Sequence, residues 1–177
     1  MTAALWAEGL PCRAPADAYR CSAGSRRSTY VVADDMLCDC SFIRLLTDVI
    51  AGLYAYVHFG VPCAPWGHMS RMNGSSRRAW IPDGQRPFTI KDHQSFLLAD
   101  RTALLCYLLD KQGHLYTIEN PKGSYLFGST PMRWLFESTE VWCVSFDQCQ
   151  YGLRPPAATA SEFTRKSTTF WANAAKI

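Results

Sequence analysis

Three short stretches carry residue types that could do covalent chemistry together. In "VHFGVPCAPWG", Val57 to Gly67, a strand-like run breaks at Pro62 and is followed at once by Cys63. "HLYTIENP" ends on Glu119, Asn120 and Pro121, and "VWCVSFDQC" ends on Asp147, Gln148 and Cys149. A thiolate is a nucleophile, a glutamic acid delivers a proton, and an amide orients a polar partner. Each residue also has a plainer reading. Cysteine is among the most buried residue types, so Cys63 can be core, and Cys143 and Cys149 are expected there. Glu119 can serve only to pair with Arg71 or Arg78, Asp147 and Gln148 can cap a loop, and Trp66 can either stack on a base or cover the core.

A metal centre is not expected. The eight cysteines include no C-x-x-C pair, the closest approach being "CDC" at Cys38 to Cys40. His58, His68, His93 and His114 are scattered without ligand spacing. With no run of 18 or more apolar residues and no basic-then-apolar leader at the N-terminus, the chain reads as intracellular, without a membrane partner and with its thiols reduced.

The elements that must position these residues follow from hydrophobic spacing and punctuation. Residues 1 to 29 read as a weakly ordered segment, because "PCRAPADAYRCSAGSRRST" has no period. Residues 30 to 177 read as one α/β domain, 177 residues at 48% hydrophobic and 19% charged being enough for one core. Thr29 to Ala33 is predicted as a short strand, and Ser41 to Leu53 as a helix capped by Ser41 with Phe42, Leu45, Leu46, Val49, Ile50 and Leu53 inward. "YAYVHFG" is a buried strand. A helix opens near Asp92 and closes at Gly113, and "HLYTIEN" follows as a strand. Ser129 to Ser138 is a short helix with Pro131 in its first turn, and "VWCVSFD" is another buried strand. Alternating strands and helices predict a mostly parallel sheet, whose ligands bind beyond the carboxyl ends of the strands. All three reactive stretches fall at such ends.

The net charge of +3 is unevenly placed. Between Gly67 and Lys91, Arg71, Arg77, Arg78, Arg86 and Lys91 face Asp83 alone, a balance of +4. From residue 150 onward, Arg154, Arg165, Lys166 and Lys176 against Glu162 leave +3, so the remainder is −4. Both basic segments read as loops. They are placed to contact nucleic-acid phosphates or simply to be solvated.

"PCAPWG", "SSRR", "ENPKGS" and "DQCQYG", in that order over roughly residues 30 to 173, resemble cytosine-5 DNA methyltransferases, and more closely the methyltransferase-like domains of mobile-element-associated proteins. The resemblance implies a Rossmann-like methyltransferase sheet, S-adenosylmethionine as donor and a nucleic-acid base as substrate. It makes Cys63 the nucleophile, with Pro62 stiffening the turn that presents it. Glu119 becomes the acid, and Asn120 holds either the exocyclic amino group or the loop. Asp39, in "LCDCS", resembles the acidic position facing the donor's adenine. Arg71, Arg77, Arg78, Arg165 and Lys166 become nucleic-acid contacts. The chemistry agrees: carbon 5 of cytosine is a poor nucleophile until a thiolate adds at carbon 6 and an acid protonates the ring nitrogen. Two features of the family are not found. The glycine-rich donor loop and the strand before it are missing, "MTAALWAEGL" resembling the tail of the helix that should follow them. Only 28 residues follow Cys149, too few for a separate target-recognition domain. The expectation is a methyltransferase-like domain with impaired donor binding, or a nucleic-acid-binding module that does no catalysis. An amino-group methyltransferase is a weaker alternative, since "NPKG" lacks the second proline and the aromatic residue of the Asn-Pro-Pro-Tyr turn.

Overall fold

The computed structural model describes residues 19–21, 28–30, 35–153, 163 and 165–175. The chain divides into two compact units, Met1–Leu45 and Leu46–Ile177. In the first, β1 (Tyr19–Cys21) and β2 (Ser28–Tyr30) pair antiparallel with Tyr19 opposite Tyr30. The strand predicted over Thr29 to Ala33 is thus described only as far as Tyr30, and residues 1 to 18 lie outside the described residues. Helix α1 (Asp39–Ile50) crosses the division. It starts two residues before the predicted cap, which puts Ser41 inside its first turn. Of its expected inward residues Val49 is buried, whereas Ile50, and Leu53 beyond the helix end, are exposed.

The second unit is mixed α/β. Its strands β3 (Tyr56–Gly60), β4 (Leu115–Pro121), β5 (Trp142–Asp147) and β6 (Ser167–Ala172) form one sheet in the order β3-β4-β6-β5. β3 and β4 pair parallel, while β6 runs antiparallel to both β4 and β5. Three strands therefore point one way, and the fourth is inserted against them. The mostly parallel direction agrees with the sequence reading, but β6 was not anticipated, because its segment reads as a basic tail. "STTFWA" is nonetheless a compact run of β-branched and aromatic residues, which suits a strand covered on both sides by neighbours. The insertion moves β5 to the edge. Trp142, Cys143, Val144 and Ser145 are exposed there, so the expectation of a buried strand with Cys143 in the core is corrected.

Two helices cover one face of the sheet. Helix α2 (Ile90–Lys111) begins at a reciprocal cap, in which Thr89 accepts from the Asp92 N–H at 3.1 Å and its own N–H donates to the Asp92 carboxylate at 3.0 Å. Asp92 is thus the third residue of the helix rather than its opening. The helix closes before Gly113, whose φ of +73° only glycine adopts without strain. Helix α3 (Thr130–Ser138) starts as predicted, but its cap comes from a distant loop: Asp83 accepts from the Thr130 N–H at 2.9 Å and from its hydroxyl at 2.6 Å. Side chains alternate along β4, so Tyr116, Ile118 and Asn120 face the helices. The first two are fully buried, together with Leu105 and Leu109 of α2 and Met132 and Leu135 of α3. On β6, Trp171 faces the same way and stacks on Phe136 at 4.1 Å. The opposite face carries Tyr56, His58, Thr117, Glu119, Thr168 and Phe170.

The long loop between β3 and α2 is anchored by Arg77, which is completely buried. Its guanidinium lies 3.9 Å over the Trp66 ring, donates to the Pro65 and Asp92 carbonyls and to Ser95, and pairs with the Asp92 carboxylate at 3.3 Å. Burial pushes the Asp92 carboxyl up, but hydrogen bonds from Thr89 and Ser75, with the charge of Arg77, outweigh it and hold Asp92 below the usual carboxylate range. Asp92 therefore stabilises the fold above about pH 4, and that contribution is lost as acid titrates it at its lower folded value. Arg77→Ala strands a buried carboxylate. Urea unfolding at pH 7 should show a loss of about 3–5 kcal/mol, whereas Arg71→Ala, on an exposed side chain, should stay within about 0.5 kcal/mol.

Candidate active site at the strand ends

Glu119 sits one residue inside a line of backbone pairing, opposite Gly60 of β3 and Phe170 of β6. A Cβ at Gly60 would meet nothing within 4 Å, so the sheet face is open at that position. The carboxyl itself is held from three other strands and their ends. Its Oε1 accepts from the Gln148 amide at 3.0 Å and from the Thr168 hydroxyl at 3.1 Å, and the Lys166 ammonium lies 3.7 Å away. Its Oε2 lies 3.6 Å from Nε2 of His58. Neither Arg71 nor Arg78, the pairing considered from sequence, takes part: Arg71 bonds to the His68 carbonyl and Arg78 to the carbonyls of Ser75 and Arg77.

Asn120 ties the two parallel strand ends together. Completely buried, it donates its amide to the Val61 carbonyl at 2.7 Å and to that of Glu119 at 3.1 Å, while Thr168 donates to its backbone carbonyl at 3.2 Å. Of the two roles open to it, the side-chain donor holds the loop. Its Oδ1 is buried without a partner. The chain then leaves Val61 through exposed Pro62 and exposed Cys63, which precedes a 3-10 turn over Ala64–Trp66. The Trp66 N–H bonds back to the Cys63 carbonyl at 3.0 Å and closes this turn. Cys63 is therefore not core. Trp66 is: fully buried beneath Arg77, it covers the interior and is not placed to stack on a base.

The basic residues separate by environment. Arg77, expected at a nucleic acid, is spent inside the fold, and this corrects its assignment. Arg71, Arg165 and Lys166 are exposed, and Arg78 is half-buried. Arg165 pairs with Asp147 at 3.0 Å, and Ser167 donates to the same carboxylate. Those two contacts, Ser167 first, hold Asp147 below its ordinary range. Gln148, read as a possible loop cap, instead reaches Glu119. His58 and Thr168 were not singled out at all. The available signal for His58 was its place on the same strand face as Tyr56 and Gly60, five residues before Cys63.

The arrangement can hold a carboxyl group with one oxygen fully occupied and the other facing a histidine, at the foot of a loop that exposes a thiol. Of the residues the resemblance assigns to a methyl donor, Asp39 opens helix α1 in the first unit. A cleft of about 480 Å³ in the second unit, between Phe88, His93, Phe96, Leu97 and Asp100, contains none of the strand-end residues. Among the described residues no group of three or more side chains could hold a metal ion, and no helix is long and apolar enough to cross a membrane. Comparison with known proteins finds no match: no family model fits the chain, and neither a curated protein nor a solved structure matches it.

Stability separates the two motif residues. Asn120→Ala leaves the Val61 carbonyl unpaired and should cost about 1–3 kcal/mol in urea unfolding. Cys63→Ser, at an exposed turn, should change it by less than about 0.5 kcal/mol.

Proposed function

We propose that this chain carries a base-modifying site of the cytosine-5 methyltransferase type on a Rossmann-like sheet, with Cys63 as nucleophile, Glu119 as acid and a base flipped out of a nucleic acid as substrate. One observation carries the reading: the Asn120 amide binds the Val61 carbonyl, tying the end of β4 to the loop that presents Pro62 and Cys63. That bond supports reading thiol and carboxyl as parts of one site at the strand ends. In the reaction the Cys63 sulfur bonds to carbon 6 of the ring as the carbon 5–carbon 6 π bond opens, and Glu119 gives its proton to the ring nitrogen. The product is an enamine with a nucleophilic carbon 5. Extruding the base costs a few kcal/mol, least in single strands. Arg71, Arg165 and Lys166 supply exposed charge for phosphates, and Lys166 stands nearest the acid. S-adenosylmethionine is the donor the resemblance implies, and the reading ends at the covalent adduct.

An oligonucleotide containing 5-azacytosine, which retains the adduct, tests this without a donor. Wild type should become covalently linked, with mass spectrometry placing the link at Cys63, and Cys63→Ser should give none. A folded wild type that forms no adduct overturns the reading. The exposure of Arg71, Arg165 and Lys166 also favours a second function, nucleic-acid binding without catalysis. Salt-sensitive binding that Arg165→Ala with Lys166→Ala weakens, and that Cys63→Ser and Glu119→Gln leave unchanged, would select it.

A further inference from the structure

The Glu119 carboxyl stands at the end of a line of polar side chains that crosses from β4 to β3, hydrogen-bonded from Tyr56 through Thr117 to His58 and completed by an ion-pair contact. The Tyr56 hydroxyl lies 2.7 Å from Oγ1 of Thr117, the same Oγ1 lies 2.8 Å from Nδ1 of His58, and Nε2 of His58 faces Oε2 of Glu119 at 3.6 Å. Thr117 is opposite His58 in the parallel register and almost completely buried, so its hydroxyl has no water to turn to. Resting on the assignment of Glu119 as an acid, we propose that His58 is the positioning residue that stores the acid's proton, with Thr117 as the switch that sets the histidine tautomer.

The geometry allows two self-consistent settings. In the unloaded one, Tyr56 donates to Thr117, Thr117 donates to Nδ1, and Nε2–H points at an ionised Glu119. Adding one proton gives the loaded setting. Glu119 then carries it on Oε2 and donates to Nε2, His58 is neutral with its hydrogen on Nδ1, and Thr117 accepts from Nδ1 and turns its own hydrogen to the Tyr56 oxygen. The equivalent form, imidazolium beside carboxylate, holds the same number of protons. Delivery is balanced: the loaded pair gives one proton through Oε2 to the ring nitrogen and returns to the unloaded setting. Oε1 cannot carry that proton readily, because Gln148 and Thr168 already donate to it and Lys166 lies beside it.

Among the described residues, the charged and titratable groups facing the pair are Lys166 on the far carboxylate oxygen and Tyr56 through Thr117. Phe170, whose ring centroid lies 5.8 Å from that of His58, adds apolar cover. Burial pushes the His58 imidazole down and the Glu119 charge pushes it up, with burial prevailing. Removing the carboxylate charge must therefore lower it further. A proton shared between a carboxylate and an imidazole belongs to the pair rather than to either residue.

Two measurements test this, one of which needs no reaction. Following the His58 ring by nuclear magnetic resonance, its titration should fall by about one pH unit in Glu119→Gln. It should also change tautomer preference in Thr117→Val, which keeps the shape and removes the hydroxyl. An unmoved His58 titration in Glu119→Gln overturns the proposal whatever the protein does to nucleic acid. The second is the pH profile of adduct formation with the 5-azacytosine oligonucleotide. The rate should decline as pH rises through the pair's titration, and His58→Gln should move that decline to lower pH by at least about one unit. A profile that His58→Gln leaves in place also overturns it. If the resonance shifts appear and wild type forms no adduct, the function assigned to Glu119 has failed while the proton pairing stands.

Discussion

Every feature of the strand-end site depends on holding one carboxyl group where three strands finish together. A half-buried carboxylate there is favoured by nearby donors and cations. Glu119 obtains them from elements far apart in the sequence: the amide of Gln148 after β5, the hydroxyl of Thr168 on β6, the ammonium of Lys166 before it and the imidazole of His58 on β3. Those contacts converge on one carboxyl from β3, from β6 and from the turn after β5, within the register that the backbone pairing sets. Asn120, one residue on, extends the constraint to the loop carrying Cys63.

The same economy explains the loop after β3. A segment rich in glycine, serine and arginine would ordinarily be mobile, but Arg77 turns inward, stacks on Trp66 and closes the start of α2 through Asp92. The 3-10 turn after Cys63 therefore rests on a buried tryptophan and a charge pair. The thiol of Cys63 and the side chain of Arg71 are left exposed above it. The proposed nucleophile therefore sits on a rigid base, which is what aiming it requires.

Much of this was legible in the sequence because it is local. The stop at Gly113 and the start of α3 before Pro131 are written within a few residues of the ends they mark, and Pro62-Cys63 and Glu119-Asn120 announce themselves by type and by position at strand ends. What escaped was long-range. Arg71 and Arg77 are indistinguishable as letters in a basic loop, and only the fold makes one a solvated cation and the other a core residue. Strand β6 was hidden in a tail that composition marks as loop-like, although six residues of "STTFWA" suffice once β4 and β5 bracket them. With β6 unseen, Thr168 could not be brought to Glu119, and without the parallel register of β3 and β4, His58 remained one of four scattered histidines.

The central claim is that Cys63 and Glu119 act together on a pyrimidine ring. Addition of the thiolate at carbon 6 makes carbon 5 exchange its hydrogen with water, so a nucleic acid tritiated at carbon 5 of cytosine reports the step without a methyl donor. The account predicts tritium release by the wild-type chain, abolished in Cys63→Ser and reduced at least about a hundredfold in Glu119→Gln. Release that persists in Cys63→Ser, or none from a folded wild type that binds the nucleic acid, would contradict it.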